Sequence, residues 1–318
     1  MDIRIKIDEL KQKGFVNVGS SFLSQMEINE LCVLSKKIFE EISPHHPDFI
    51  PDHSGVNGVM RLPQHHPRIA ELLDHLVANA AFKLTLEALL GSDYKIWQVN
   101  MRRSSPRDKG LYLHQDSQGE MGVCILLSDN MNGSGATVFL PSSHLVPKRM
   151  KVWRVEAPAP LLKLLRYLFT PLSGKAGDIG FFFNRTWHGR FPNQSANFYD
   201  VIFISFFPAG HCLGYEGYGD WSAEFLLAIR GTELGRLIDP SIGTERQSDG
   251  LFKILPTKNK SMTDLPYALA IETYQGRQHR LNNYKLRASI IFLRVIMGLG
   301  RPFVRLFRKV IGYLALGK

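Results

Sequence analysis

The sequence predicts a mainly β protein with flanking helices, and three observations carry that reading. From Tyr94 to Pro208, short runs rich in Val, Ile and Phe are separated by turn-forming clusters. Ahead of them, apolar residues recur at three- and four-residue steps, the period of a helix with one buried face. Beyond them, residues 277–318 mix apolar with basic side chains and contain no acid. Many short strands with frequent turns build a sandwich, a barrel or a jelly roll.

Taken in order, Ile3, Ile5, Ile7 and Leu10 stand among charges and lead into Gly14-Phe15-Val16-Asn17-Val18, a first strand. Ser21–Ser24 precede a helix from about Met26 to Ile42, in which Ile28, Leu31, Leu34 and Ile38 share one face. Residues 43–67 are rich in Pro, Asp and Gly and hold His45, His46, His53, His65 and His66. Clustered histidines suit a metal, but Pro and Gly argue for a long loop, solvated or facing a substrate. A helix is expected over about Pro67–Leu90.

The β pattern then begins with Lys95–Met101, which alternates polar and apolar residues. It continues through Gly110–His114, Met121–Leu127, Ala136–Leu140, Asp178–Phe183 and Tyr199–Phe207. Asp129–Gly135 is the clearest turn cluster. A Leu-rich stretch at about Pro158–Thr170 reads as a helical insertion, Gly214–Tyr218 as an aromatic loop, and Trp221–Ile229 and Tyr267–Tyr274 as helices. No internal repeat is evident.

A chain of 318 residues, 44% hydrophobic, can bury a sizeable core. Met1-Asp2-Ile3-Arg4 runs into charges and not into an apolar segment, so no signal peptide is expected. Cys32, Cys124 and Cys212 are odd in number and far apart, which favours reduced thiols over a disulfide framework or structural zinc. No apolar run approaches the length of a membrane-spanning helix. The formal charge of +10 is unevenly spread. Ten of the 39 Lys and Arg lie between Arg277 and Lys318, which leaves twenty-nine basic against twenty-nine acidic residues in the first 276. The chain therefore divides into a neutral body, 1–276, and a basic tail, 277–318.

Chemistry concentrates at Leu113-His114-Gln115-Asp116-Ser117 and at His188, seventy-two residues beyond Asp116. Two imidazoles and a carboxylate are the facial ligand set of non-haem iron(II), holding the ion on one face and leaving the other for reactants. A lone His-x-Asp is a weak signal. Its surroundings are not. The stretch from Gly14 to Pro208 resembles the phytanoyl-CoA dioxygenase family of iron(II)/2-oxoglutarate oxygenases. Gly14-Phe15-Val16 before Phe22-Leu23 is similar to that family's first strand and helix, and His114-Gln115-Asp116 to its metal segment. Ala136–His144 resembles its strand and Pro-Gly-Ser-His turn, with Ser142 where glycine is usual. Gly177-Asp178, His188-Gly189 and Asn193-Gln194-Ser195 complete five elements in the family's order.

The resemblance implies a double-stranded β-helix of the jelly-roll, cupin-like type, with helices before it. It implies that His114, Asp116 and His188 hold Fe(II), that 2-oxoglutarate chelates the metal, and that O2 is the oxidant, with ascorbate in a supporting role. Oxidative decarboxylation of 2-oxoglutarate would be coupled to hydroxylation. Because Asp116 is present, the open position that a halogenase needs for chloride is absent.

One departure concerns the cosubstrate. The family grips the far carboxylate of 2-oxoglutarate with an arginine eleven residues after the distal histidine, and here that position is Tyr199. Arg190 stands two residues after His188 instead. A guanidinium forms a two-pronged contact with carboxylate that a tyrosine cannot. Arg190 is therefore expected to anchor 2-oxoglutarate with a hydroxyl contact from Tyr199; the other reading makes Arg190 a surface residue. Gln98, Asn100 and Arg102 alternate and so share one strand face. If it is interior, Gln98 and Asn100, with Thr137, meet the cosubstrate; if Val99 and Met101 face the core instead, it is a solvent face. Arg102 and Arg103 are the expected substrate contacts. Gln115 and Ser117 are read as supports for the ligands.

In the tail, Arg280, Arg287, Arg294, Arg301 and Arg308 recur every seven residues and form one stripe on a helix. With the intervening Ile, Leu, Phe and Val, this is the profile of an amphipathic helix on an anionic membrane, broken near Gly298–Pro302. A helix pair packed on the body and a dimer contact are the rivals. Nucleic acid is not expected, since few polar base-reading side chains accompany the arginines. The leading expectation is thus a cytoplasmic hydroxylase, peripheral on the inner face of a membrane, acting on a lipid-linked or membrane-presented substrate. The alternatives are the same chemistry on a soluble small molecule with a dimerising tail, and a non-catalytic module that keeps its metal.

Overall fold

The structure, a computed structural model, describes residues 3–51, 56–115, 119–130, 135–145, 168–209, 213–215, 220–238 and 251–253. The tail 277–318, Asp116, Ser117, residues 158–167 of the helix expected at about Pro158–Thr170 and the whole of that expected at Tyr267–Tyr274 lie outside them; Thr170 itself is in a strand.

The chain opens with α1 (Ile3–Lys13), β1 (Phe15–Asn17) and α2 (Gln25–Glu41). Ser24 starts α2 with a reciprocal cap: its hydroxyl accepts from the Glu27 amide, and the Glu27 carboxylate accepts from the Ser24 amide. The stretch expected as one long loop is more ordered. It holds β2 (Phe49–Ile50), β3 (Val56–Val59) and a 3-10 turn at Leu62–His65. The organising group is the Asp48 carboxylate, which takes Arg61, Gln64 and, at 2.8 Å, His65. Burial pushes that carboxyl up, but His65, Arg61 and Gln64 outweigh it and hold it at about 2. His66 caps the next helix by accepting from the Arg68 amide. Among the described residues these histidines form no metal cluster.

The single helix expected over 67–90 is two, α3 (Pro67–Ala78) and α4 (Ala80–Leu90). Asn79 makes the break. Its backbone is extended, and its side-chain oxygen accepts from the amides of Ala81 and Phe82, so it serves as the N-cap of α4.

The strands follow as β4 (Tyr94–Ser104), β5 (Leu111–His114), β6 (Met121–Leu126), β7 (Thr137–Phe139), β8 (Thr170–Pro171), β9 (Ile179–Phe183), β10 (His188–Arg190) and β11 (Tyr199–Pro208). Then come β12 (Leu213–Tyr215), α5 (Ala223–Ala228), α6 (Glu233–Leu237) and β13 (Leu251–Lys253), with β12 and β13 paired. One antiparallel sheet runs β1-β9-β6-β11-β4-β3-β2 and a second runs β5-β10-β7-β8. This is the jelly-roll core expected.

The alternation of the strands decides what each face does. On β4, Val99 and Met101 pack outward with Ile202, Ile204 and Phe206 of β11, Val123 and Ile125 of β6, and Phe181 and Phe183 of β9. The helices cover that face with Leu31, Leu72, Leu76, Phe82 and Leu86, all essentially buried. Each such side chain removed from water is worth about 1.5–3 kcal/mol. The other face of the same strands looks into the jelly roll. There Gly122 is required: a Cβ would lie 2.0 Å from the Phe182 ring. Gly14 is equally constrained, with φ +86° and the His144 ring and Thr186 hydroxyl each 2.5 Å from where a Cβ would stand.

Candidate metal and cosubstrate site

Antiparallel pairing of β5 with β10 sets His114 directly opposite His188. Their ring centroids are 4.4 Å apart with planes inclined at 50°. His188 is buried, and its Nδ1 lies 2.7 Å from the Thr186 carbonyl. A carbonyl only accepts, so Nδ1 carries the proton and Nε2 bears the lone pair. That is the tautomer a metal ligand needs, fixed by its neighbour as is usual for ligating histidines. Phe139 and Phe182 pack around the His188 ring at 6.1 and 5.4 Å. Gln115 donates from Nε2 to the Arg185 carbonyl at 2.7 Å, which ties the chain leaving His114 to the turn that leads to His188. The donor chemistry therefore fits a divalent iron, with the expected third ligand, Asp116, outside the described residues.

A cavity of about 460 Å³ opens beside the histidines. The β5–β10–β7 sheet contributes His114, His188, Arg190 and Thr137, and the facing sheet contributes Gln98, Asn100, Arg102, Ser104, Tyr199 and Ser205. The inward reading of the 98-100-102 face is the observed one: these residues enter the cavity, and Val99 and Met101 pack under the helices. Gln98 and Asn100 form a ladder, Asn100 Nδ2 donating to Gln98 Oε1 at 2.7 Å and Gln98 Nε2 to Ser205 Oγ at 2.6 Å.

Arg190 follows His188 by two residues and lies opposite Thr137 in the β10–β7 register. Its Nη1 donates to Ser104 Oγ at 2.7 Å and to the Asp108 carboxylate. Asp108 also accepts from the Gly110 amide at 2.7 Å and the Asn193 amide at 3.2 Å, so the arginine is held by a carboxylate that is itself fixed by the backbone. Tyr199 lies opposite Ser104 in the β11–β4 register, is 4% exposed, and has its phenol pushed well above the ordinary range by burial. Arg190, Thr137, Ser104 and Tyr199 thus converge on one cavity.

Arg103 corrects an expectation. It does not enter the cavity, because it lies on the opposite face of β4 from Arg102. Its Nε reaches Asp200 Oδ1 at 2.8 Å and its Nη2 reaches Oδ2 at 2.9 Å, and the guanidinium sits 4.3 Å from the centre of the Phe39 ring on α2. It pins a helix to the sheet. Several cavity residues were not foreseen: Ser104, Ser205, Phe182 and Asn184. Ser104 was within reach, as the next member of the 98-100-102 alternation.

The comparisons agree with this geometry. The model of the family described as phytanoyl-CoA dioxygenase (PhyH) matches residues 10–198. No protein of curated function matches the chain in sequence. Among solved structures, AviO1 from Streptomyces viridochromogenes Tue57 is similar with a TM-score of 0.51 at 19% identity, covering 65% of this chain and 96% of its own. SnoN, an epimerase of nogalamycin biosynthesis solved with Fe3+ and alpha-ketoglutarate, gives 0.52 at 16% identity, covering 65% and 84%. HygX from Streptomyces hygroscopicus, solved with nickel, 2-oxoglutarate and hygromycin B, gives 0.50 at 13% identity, covering 65% and 87%. At these identities the likeness is one of fold. Fold, cavity and family match converge: the chain belongs to the phytanoyl-CoA dioxygenase family of iron(II)- and 2-oxoglutarate-dependent enzymes.

Proposed function

We propose that the chain is a hydroxylase that binds Fe(II) through His114, Asp116 and His188 and anchors 2-oxoglutarate on Arg190. The observation that carries this reading is the pairing of His114 with His188 across β5 and β10, with Arg190 on the same cavity wall. When bound, iron would activate O2, the oxidant, with 2-oxoglutarate supplying two of the electrons as it is oxidised to succinate and CO2 and the substrate supplying the other two. The chain's own residues do the rest. Thr186 keeps the His188 proton on Nδ1. Asp108 and Ser104 hold the Arg190 guanidinium so that a carboxylate meets a preset partner at little ordering cost. Thr137 and Tyr199 add hydroxyls beside it, and Gln98 and Asn100 bring carboxamides to the facing wall. Phe139 and Phe182 keep water from the distal histidine.

Hydroxylation is favoured over halogenation by the presence of Asp116 in sequence. Arg102, Ile50 and Val56 line the same cavity and are the residues offered to the substrate. The basic tail would bring the enzyme to an anionic membrane on the cytoplasmic side, a reading supported by its seven-residue arginine stripe. Among the described residues no helix is long and apolar enough to cross a membrane. The test of the chemistry is succinate release with Fe(II), 2-oxoglutarate and ascorbate, compared with Arg190→Ala. Full turnover in the variant removes Arg190 from the role. The test of the tail is flotation with anionic vesicles, where equal partitioning of full-length protein and a 1–276 truncation excludes it.

A further inference from the structure

Two carboxamides in the cavity carry an unmet demand. Asn100 is 2% exposed and Asn184 is 4% exposed, and both line the cavity. Among the described residues, the Oδ1 atoms of both are buried without a hydrogen-bond partner. Buried polar atoms are almost always paired, so two unpaired acceptors on residues that line one cavity point to an occupant that brings the missing partners. Both atoms are acceptors. 2-Oxoglutarate, with two carboxylates and a keto group, offers no donor and cannot satisfy them. A hydrocarbon chain offers none either. The other occupant of the cavity must bring O–H or N–H groups.

The surroundings of Asn184 narrow the class. The Phe182 ring, two residues earlier, lines the same cavity and gives an apolar face. A carboxamide beside an aromatic ring suits a ring that is apolar on its face and hydroxylated at its rim. Adjacent hydroxyls both donate and accept, so a vicinal diol can give a proton to the carboxamide oxygen and accept one from its nitrogen. Resting on the oxygenase reading above, we propose that the substrate is a sugar or similar polyol. It presents a vicinal diol to Asn184, a face to Phe182 and a further hydroxyl to Asn100. This favours a saccharide over an acyl chain.

The experiment uses the full-length protein loaded with Ni(II), a redox-silent divalent ion, and 2-oxoglutarate. Calorimetry of 2-oxoglutarate comes first. Saturation-transfer NMR then surveys methyl glycosides of mannose, rhamnose, glucose and galactose, with sodium decanoate as the acyl probe. The expected result is contact with at least one glycoside and none with decanoate. The glycoside affinity falls about tenfold in Asn184→Leu, and 2-oxoglutarate affinity stays at the wild-type value. Asn184→Leu should also melt a few degrees higher, since it removes an unpaired buried polar atom at a site kept for binding. Asn184→Ser repeats the comparison if the leucine variant does not fold. Absence of every glycoside signal, undiminished glycoside binding in both variants, or capture of decanoate overturns the proposal while leaving the oxygenase reading intact. Failure of 2-oxoglutarate to bind the wild type overturns both.

Discussion

His114 and His188 stand opposite one another across two paired strands, ring centroids 4.4 Å apart, although seventy-four residues separate them in sequence. Because Thr186 fixes the His188 tautomer, the pair is set for a metal before one arrives. Replacing either histidine by alanine should abolish stoichiometric Fe(II) binding, read by metal analysis after anaerobic loading, and lower turnover by more than about 100-fold. Retention of one equivalent of iron by His188→Ala would move the metal elsewhere.

Arg190→Ala should weaken 2-oxoglutarate binding by about 10–100-fold, the scale of a lost charge-assisted contact at roughly 1.5–3 kcal/mol. Arg190→Lys should recover part of it, since a lysine restores charge but not the fork. Tyr199→Phe should cost only a few-fold. Calorimetry with the Ni(II) form measures all three, and a ranking with Tyr199→Phe as the weakest binder would reverse the assignment.

Arg103→Ala tests the correction at β4. Its loss leaves the buried Asp200 without its partner and should destabilise the fold by about 3–5 kcal/mol. Once stability is allowed for, 2-oxoglutarate affinity should be unchanged, because the side chain lies on the helix-facing side of the sheet. Chemical denaturation and calorimetry separate the two effects.

His144 gives the fold an acid limit. It is fully buried, stacked on Phe183 at 5.3 Å, with Nε2 3.0 Å from the Lys11 carbonyl. Burial holds its pKa down at about 4, despite the bond to Lys11. A depressed folded-state pKa contributes stability above the unfolded value of about 6.5, and this is lost as pH falls toward 4. The loss amounts to about 3 kcal/mol at most. Denaturant midpoints between pH 7 and 4 should fall in the wild type and flatten in His144→Gln. Parallel slopes would assign the acid limit to other groups.

Gly122→Ala should destabilise the protein by about 1–3 kcal/mol, because the new methyl occupies the place of the Phe182 ring. Displacing that ring should also weaken glycoside contact, if Phe182 is the platform proposed. Thermal melting and the saturation-transfer signal should move together.

Much of this was legible in the chain. Strand alternation around Gln98-Asn100-Arg102 and the order of the motifs from Gly14 to Ser195 are local patterns, so they announced the β core, the histidines and the family before any contact was known. The loop at 43–67 and the break at Asn79 were not legible. Both turn on single side chains choosing backbone or charged partners, Asp48 with Arg61 and Asn79 with the α4 amides, and composition is blind to that choice.

The division has a physical cause. Periodicity belongs to the backbone and is written residue by residue; a hydrogen bond between residues a hundred positions apart is not. By itself the sequence determined that this is a mainly β member of an iron and 2-oxoglutarate family with a basic tail. Only the tertiary structure decided that Arg102 enters the cavity and Arg103 leaves it for Asp200, and that Arg190 is held by Asp108. It alone put Asn184 and Phe182 on one cavity, with an Asn184 oxygen that none of the described residues meets.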